Sequence, residues 1–168
     1  MNYILETERL RLREFTLADA DFIVALLNSP GWLQYIGDRN VRTIEQATAY
    51  LQNNILKSYE VNGYGSWLVE RKDDGQAIGS CGIINREALD TPDIGFAFLP
   101  EYNGFGYAYE CAAATMAYAK EQLNIPKMGA IVLPSNDRSV KLLKKIGLQY
   151  VKPFYLPNSE EELHLYSS

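Results

Sequence analysis

The stretch "PEYNGFGYAYE", Pro100 to Glu110, sets Gly104 and Gly106 between an apolar run and an alanine-rich run. Glycine weakens the interior of a strand or a helix, so this pair marks a turn with a task. A strand that ends in a glycine turn and leads into a helix suits a phosphate. The first helical turn offers free N–H groups and the positive end of the dipole. Glycine removes the side chains that would keep an anion off the backbone. On this reading the N–H groups from about Gly104 to Ala108 point at a pyrophosphate, and Ala108 is small for the same reason. The glycines alone are equally consistent with a plain turn and no ligand. A P-loop needs Gly-Lys-Ser/Thr, which is absent, and a dinucleotide fingerprint needs a third glycine where Tyr109 stands.

A second group lies downstream. In "LPSNDRSVKLLKKIGLQYV", Asn136 follows an apolar strand and Ser139 sits one turn into a helix, with Lys141, Lys144 and Gly147 beyond. Taken alone, Asn136 is a helix cap and Ser139 a helix-surface serine.

Several classes of chemistry are disfavoured by the whole chain. It has 168 residues, the size of one domain, with 47% apolar and 22% charged residues, ordinary for a globular protein. No run approaches the roughly 18 apolar residues of a membrane span. The start "MNYILETERLRLREF" lacks the features of a signal peptide, so a cytoplasmic location is expected. Net charge is −5, which argues against a nucleic-acid partner, since that would need a basic face. Cys81 and Cys111 both sit in apolar surroundings and read as buried free thiols. No metal-ligand cluster is visible, and the single histidine, His164, reads as structural.

The elements that must position these residues follow from periodicity. "RLRLREF" alternates as a half-buried strand. "TLADADFIVALLN" is a first helix with Thr16 and Asp19 as caps, broken by "SPGW". "TIEQATAYLQNNILKSY" is a second, with Ile44, Ala47, Leu51 and Ile55 at helical spacing and a capping box from Thr43 and Gln46. "YGSWLVERK", "QAIGSCGIINR" and "PDIGFAFLP" form a meander, and Gly79 and Gly82 hint at bulges or close backbone approach. After the turn, "YAYECAAATMAYAKEQL" is a helix with Tyr107, Cys111, Ala114 and Tyr118 on one face. "KMGAIVL" is a strand. "PSNDRSVKLLKKIG" is a helix with Val140, Leu143 and Ile146 inward and Gly147 past its end. "LQYVKPFYL" and "EELHLYS" form a final hairpin. The order is βααβββαβαββ, a mixed α+β or α/β domain.

The two motifs together resemble the GNAT superfamily of N-acetyltransferases, and its RimJ/RimL-like branch in particular. That branch shows a pattern close to "LPEYWGKGYATEA" and, some thirty residues later, "N-x-x-S-x-x-x-x-x-K-x-G-F". This chain has "LPEYNGFGYAYECA", then Asn136, Ser139, Lys145 and Gly147, and its opening "LETERLRLREFTLADAD" is also similar. The resemblance implies the acyl-CoA N-acyltransferase fold over residues 1–168, a mostly antiparallel sheet with a splayed strand pair and about four helices. It implies acetyl-CoA as co-substrate. Asn103, Gly104, Phe105, Gly106, Tyr107 and Ala108 would hold the pyrophosphate. Phe96, Phe98 and Leu99 would pair with the pantetheine amides as an added strand pairs with an open edge. The strand "AIVL" would splay away there, and Asn136 would hydrogen-bond the pantetheine arm. Asn103 and Phe105 depart from the usual pattern; the cation common at the latter is missing, which should weaken phosphate affinity.

The implied reaction is direct attack of an amine on a thioester, which needs a neutral amine, a polarised carbonyl and a proton for the leaving thiolate. It needs no metal. A backbone N–H near Phe98 would polarise the carbonyl. Many relatives carry a tyrosine acid where Leu143 stands here, so Ser139 is the acid candidate, acting directly or through water. Asp93 is the base candidate, with a strand-edge role as its alternative; Glu70 and Glu101 are weaker ones. Trp32, Tyr35, Asp38 and Arg39, between the first two helices, would face the acceptor. There Asp38 could hold an ammonium and Arg39 a carboxylate, or Asp38 could simply pair with Arg39 or Arg42. Tyr64 and Trp67 line the same cleft or fill the core.

The expected function is therefore transfer of an acetyl group from acetyl-CoA to a primary amine, on a protein N-terminus or a small molecule. The alternative is a CoA-binding or sensing module with little or no turnover. A third reading is an interaction domain that ignores acetyl-CoA. A monomer or a homodimer fits, with no nucleic-acid and no membrane partner.

Overall fold

The computed structural model describes residues 2–168. Eight strands form one sheet in the order β1-β2-β3-β4-β5-β6-β8-β7. They are β1 (Tyr3–Glu6), β2 (Leu10–Arg13), β3 (Ser66–Arg71), β4 (Ala77–Ile84), β5 (Asp93–Phe98), β6 (Gly129–Val132), β7 (Gln149–Phe154) and β8 (Leu163–Ser167). All neighbouring pairs are antiparallel except β5 and β6. The expected mixed fold with a mostly antiparallel sheet is thus present.

Helices α1 (Ala20–Leu27), α2 (Pro30–Tyr35), α3 (Ile44–Tyr50) and α4 (Lys57–Asn62) lie between β2 and β3. Helix α5 (Tyr107–Glu121) joins β5 to β6, and α6 (Asp137–Lys145) joins β6 to β7. Each face of the sheet carries its own apolar layer. Trp67, Val69, Cys81, Ile83, Cys111 and Ala112 pack on the α5 side. Phe15, Ile23, Leu26, Ala47, Leu51 and Leu68 pack on the other. Neighbours Trp67 and Leu68 go to opposite layers because successive strand side chains point to opposite faces.

Four local findings refine the sequence expectations. β1 is an added edge strand; its four residues show no buried alternation to betray it. "SPGW" does end α1, but it also starts α2, with Ser29 at the N-cap and Pro30 in the first turn, where a missing N–H costs nothing. Thr43 caps α3 by accepting from the Gln46 N–H, while the Gln46 side chain reaches the Arg42 N–H, so only half of the expected box forms. A π-helical stretch, Leu51–Leu56, joins α3 to α4.

The α5 face is rotated from expectation. Cys111, Ala112, Thr115 and Ala119 are the buried residues, and Tyr107, Ala114 and Tyr118 flank them half-buried. Small side chains take the closest approach to the sheet, and tyrosines cannot. The glycines of β4 serve a different closeness, to the backbones of the neighbouring segments. A Cβ on Gly79 would come within 2.4 Å of the Ala97 carbonyl, and one on Gly82 within 2.1 Å of the Gly65 carbonyl. A register shift opposite Gly79, between Val69 and Glu70, marks the bulge. Gly147 takes φ +100° just past α6, and its N–H bonds to the Lys144 carbonyl.

Candidate active-site cleft

β5 and β6 pair in register at Asp93 and Gly129 and part beyond. The parting opens a cleft of about 900 Å³. Its lining includes Phe96, Phe98, Asn103 and Ala108 from β5 and the turn. Asn136, Ser139 and Leu143 come from α6, and Trp32, Tyr35 and Arg39 from α2 and the segment after it.

The open edge of β5 has defined polarity. The Leu99 N–H donates to the Ile78 carbonyl on the β4 side at 3.0 Å. N–H groups alternate between the two edges of an antiparallel strand. Phe98 and Phe96 therefore turn theirs toward the gap that β6 leaves. An extended ligand with amide groups could pair there.

The glycine turn borders the cleft at Asn103 and Ala108. Gly104 and Gly106 take φ +88° and +82°, a region where an ordinary side chain is strained. A Cβ at Gly104 would meet nothing, so backbone conformation is the reason for that glycine. Among the described residues no protein acceptor meets the N–H groups of residues 104 to 108. Free donors at the N-terminus of the 15-residue helix α5 form a site where the residues present fit an anion.

Asp93 lies at the root of the parting and is 1% exposed. Its Oδ2 accepts from Arg86 Nε at 3.2 Å, and its buried Oδ1 has no protein partner. Burial pushes the carboxyl up to about 6, against the pull of Arg86. Such a carboxyl holds a proton loosely near neutral pH.

Asn136 caps α6. Its Oδ1 accepts from the Ser139 N–H at 3.4 Å, and its Nδ2 meets no protein acceptor among the described residues. Asn136, Ser139 and Leu143 recur at helical spacing and share one face.

Residues 9–149 match the family described as Acetyltransferase (GNAT) domain. The chain belongs to the GNAT family. The uncharacterized N-acetyltransferase YoaA of Bacillus subtilis (strain 168) is 33% identical over 147 residues, 87% of this chain and 82% of that protein. An acetyltransferase from Agrobacterium tumefaciens strain C58 superposes with a TM-score of 0.82 at 25% identity, covering all of this chain and 94% of the other. RimL, a ribosomal L7/L12 alpha-N-protein acetyltransferase solved in complex with coenzyme A, superposes at 0.83 and 18% identity. It covers 99% of this chain and 97% of its own, a likeness of fold. GNAT membership carries acetyl transfer from acetyl-CoA as the reaction class.

Within this GNAT chain the expected site residues separate into two groups. Trp32, Tyr35, Arg39, Asp93, Phe96, Phe98, Asn103, Ala108, Asn136 and Ser139 all line the one cleft. Leu99 and the turn residues Gly104, Phe105, Gly106 and Tyr107 do not form its wall, although Asn103 and Ala108 on either side of the turn do. Asp38 stays outside, exposed, with its carboxylate on Arg42 Nη2 at 2.6 Å and on the Asn40 N–H. Trp67 is a core residue, edge-on to Tyr118, and Tyr64 packs on the same layer. Glu70 is buried by its partners Arg11, Arg13 and Tyr3. Glu101 is exposed.

Two residues at the site were not anticipated. Arg86 supplies the cation beside Asp93, and Arg9 reaches the glycine turn. Arg9 lies in the opening stretch that resembles the family, but that resemblance gives it no role, and Arg86 lies in neither of the two motifs. Arg9 reads as part of an alternating strand, and Arg86 as the last residue of the strand "QAIGSCGIINR".

Proposed function

We propose that this GNAT protein acetylates a primary amine by direct attack on the thioester of acetyl-CoA within a ternary complex. The parting of β5 from β6, beside a glycine turn whose N–H groups are free, is the observation that carries the reading. The N–H groups of Gly104 to Ala108 hold the pyrophosphate. The edge of β5 at Phe96 and Phe98, continued to Leu99, and the Asn136 amide hold the pantetheine arm.

Bound there, acetyl-CoA supplies an activated carbonyl and a thiolate leaving group. The Phe98 N–H, aimed into the gap, polarises that carbonyl. Asp93, largely ionised at pH 7, takes a proton from the acceptor ammonium, directly or through water, and Arg86 holds its other oxygen in place. As the C–S bond breaks, the attacking nitrogen gives up its second proton, and Ser139 relays it to the leaving sulfur, so that the hydroxyl ends as it began. Leu143, 2% exposed, keeps that wall apolar.

The acceptor end is lined by the half-buried rings of Trp32 and Tyr35, backed by the core residues Phe15 and Ile23. That wall suits an amine with an apolar body. Asp38 is occupied by Arg42, so it does not serve as the ammonium anchor. Arg39 has no ion-pair partner among the described residues and remains available to an anionic group of the acceptor.

Thermal unfolding with acetyl-CoA and CoA, against ATP and NAD, tests the reading. At about 100 times Kd, specific binding adds roughly 2.7 kcal/mol. For a domain this size that raises Tm by roughly 5–10 °C. Thiol release with a panel of amines then reports turnover. No shift at saturating acetyl-CoA overturns the proposal, and a shift without turnover on any amine leaves a binding module.

A further inference from the structure

The glycine turn is held from outside the cleft by a residue far away in sequence. Arg9, just ahead of β2, donates from Nη2 to the Phe105 carbonyl at 2.9 Å. Its Nε donates to Glu110 Oε1 at 2.8 Å, and its backbone N–H to Glu110 Oε2 at 2.9 Å. Thr7 Oγ1 donates to the same Oε2. The guanidinium lies 4.5 Å from the centre of the Tyr107 ring, on which Phe105 stacks at 5.7 Å. One side chain thus joins the turn, the first ring of α5 and the first-turn acid of α5.

The peptide plane converts this clamp into a statement about the site. C=O and N–H of one trans peptide point in opposite directions. With the Phe105 carbonyl drawn toward Arg9, the Gly106 N–H of that unit faces the other way, and it has no protein acceptor. Gly106 at φ +82° offers little resistance to rotation of that peptide. Without the clamp, the turn would sample orientations that point this donor elsewhere.

We infer that Arg9 is a positioning residue for the co-substrate, holding the 105–106 peptide so that the Gly106 N–H is presented to the pyrophosphate. The inference rests on the assignment of the turn as the pyrophosphate site. Arg9 acts by geometry and not by its charge, because Glu110 already neutralises the guanidinium and its Nη2 is committed to the Phe105 carbonyl. A cation is missing from the turn at Phe105, and preorganised backbone donors are what take its place. Preorganisation raises affinity by removing the ordering cost from the binding step.

The test is Kd for CoA by titration calorimetry, and KM and kcat for acetyl-CoA, in the full chain and in R9K and R9M. A lysine keeps the ion pair with Glu110 but cannot fork to Phe105. R9K is therefore expected to keep the wild-type Tm within a few degrees and to bind CoA about 5- to 10-fold more weakly. KM rises by the same factor and kcat changes less than twofold. The ratio of wild-type to variant Kd stays constant between low and moderate salt. R9M repeats the loss if it folds, and R9K decides alone if it does not. A wild-type Kd in R9K overturns the inference. A Kd ratio that collapses as salt rises also overturns it, since that is the mark of a direct phosphate contact. If the wild-type chain itself binds no CoA, the assignment of the turn fails first, a distinct result.

Discussion

Asp93 and Gly129 stand opposite each other where β5 and β6 still pair, and Asp93 already lines the cleft that opens beyond them. This contact puts a carboxyl 1% exposed at the root of an open cleft. The Gly129 N–H bonds to the Pro92 carbonyl, so the strands are held together just below the carboxyl. The two consequences, a gap for a ligand and a desolvated acid at its base, arise from one register.

Asp93 should make both stability and activity depend on pH. Its folded value, about 6, lies above the ordinary 3.8, so the unfolded chain gives up the proton first as pH rises. Stability should therefore fall from about pH 4 and level off above the folded value. The full span corresponds to about 3 kcal/mol. In Asp93→Asn that fall should be absent when urea midpoints are compared at pH 4.5 and 7.5. The variant should also lose roughly 100-fold in kcat, and the wild-type rise of kcat/KM through about pH 6 should vanish. Identical pH profiles for both chains would remove Asp93 from the mechanism.

Ser139 and Asn136 should separate kinetically. Ser139→Ala removes the proposed proton relay without touching the cap, so kcat should fall roughly 10- to 100-fold with the Kd for CoA unchanged. Asn136→Ala loses a cap worth about 1 kcal/mol and a pantetheine contact, so KM for acetyl-CoA should rise. Steady-state kinetics on the two variants distinguishes the roles.

Gly106→Ala forces a side chain into a left-handed conformation at φ +82°. The strain is roughly 1–2 kcal/mol. The alanine Cβ would sit 3.5 Å from the Arg9 guanidinium, which is ordinary contact, so conformation and not crowding sets the loss. Tm should drop by about 2–8 °C, at roughly 2–4 °C per kcal/mol. A variant as stable as wild type would mean that the turn adopts another conformation.

Glu70 should prove structural. Its carboxylate accepts from Arg11 Nε at 2.7 Å and Arg13 Nε at 2.8 Å, and Arg13 goes on to Asp19. The arginines and the Tyr3 hydroxyl hold its carboxyl below the usual range, in spite of burial. Glu70→Gln leaves Arg13 short of an anion in a buried network and should cost about 2–4 kcal/mol. Denaturant unfolding would show the loss, with kcat at low temperature within twofold of wild type.

Arg39 and Asp38 give a paired comparison. Arg39→Gln should raise KM about tenfold for amines that carry a carboxylate and leave neutral amines unchanged, as expected for one charge-assisted hydrogen bond of about 1.5 kcal/mol. Asp38→Asn should leave both unchanged, because Asp38 is engaged by Arg42 outside the cleft. Equal effects on both amine classes would place the acceptor elsewhere.

Much of this protein was legible in its residues one after another. Glycines at 104 and 106 announced a turn, Asn136 and Gly147 bounded α6, alternation marked β2, and apolar runs between turns marked the β3–β5 meander. These are local constraints: backbone sterics, capping and periodicity act within a few residues, so their signals are local too. The rotated face of α5 was less legible, because an alanine-rich helix offers small residues on several faces and only packing on the sheet selects Cys111, Ala112, Thr115 and Ala119. Two facts were decided by tertiary structure alone. Asp93 became a buried carboxyl with an unpartnered oxygen, and Arg9 was brought to Phe105 across 96 positions. Desolvation is a sum over neighbours from many elements, and the partner of a charge is whichever group the fold brings near. Neither quantity exists until the strands have found their register.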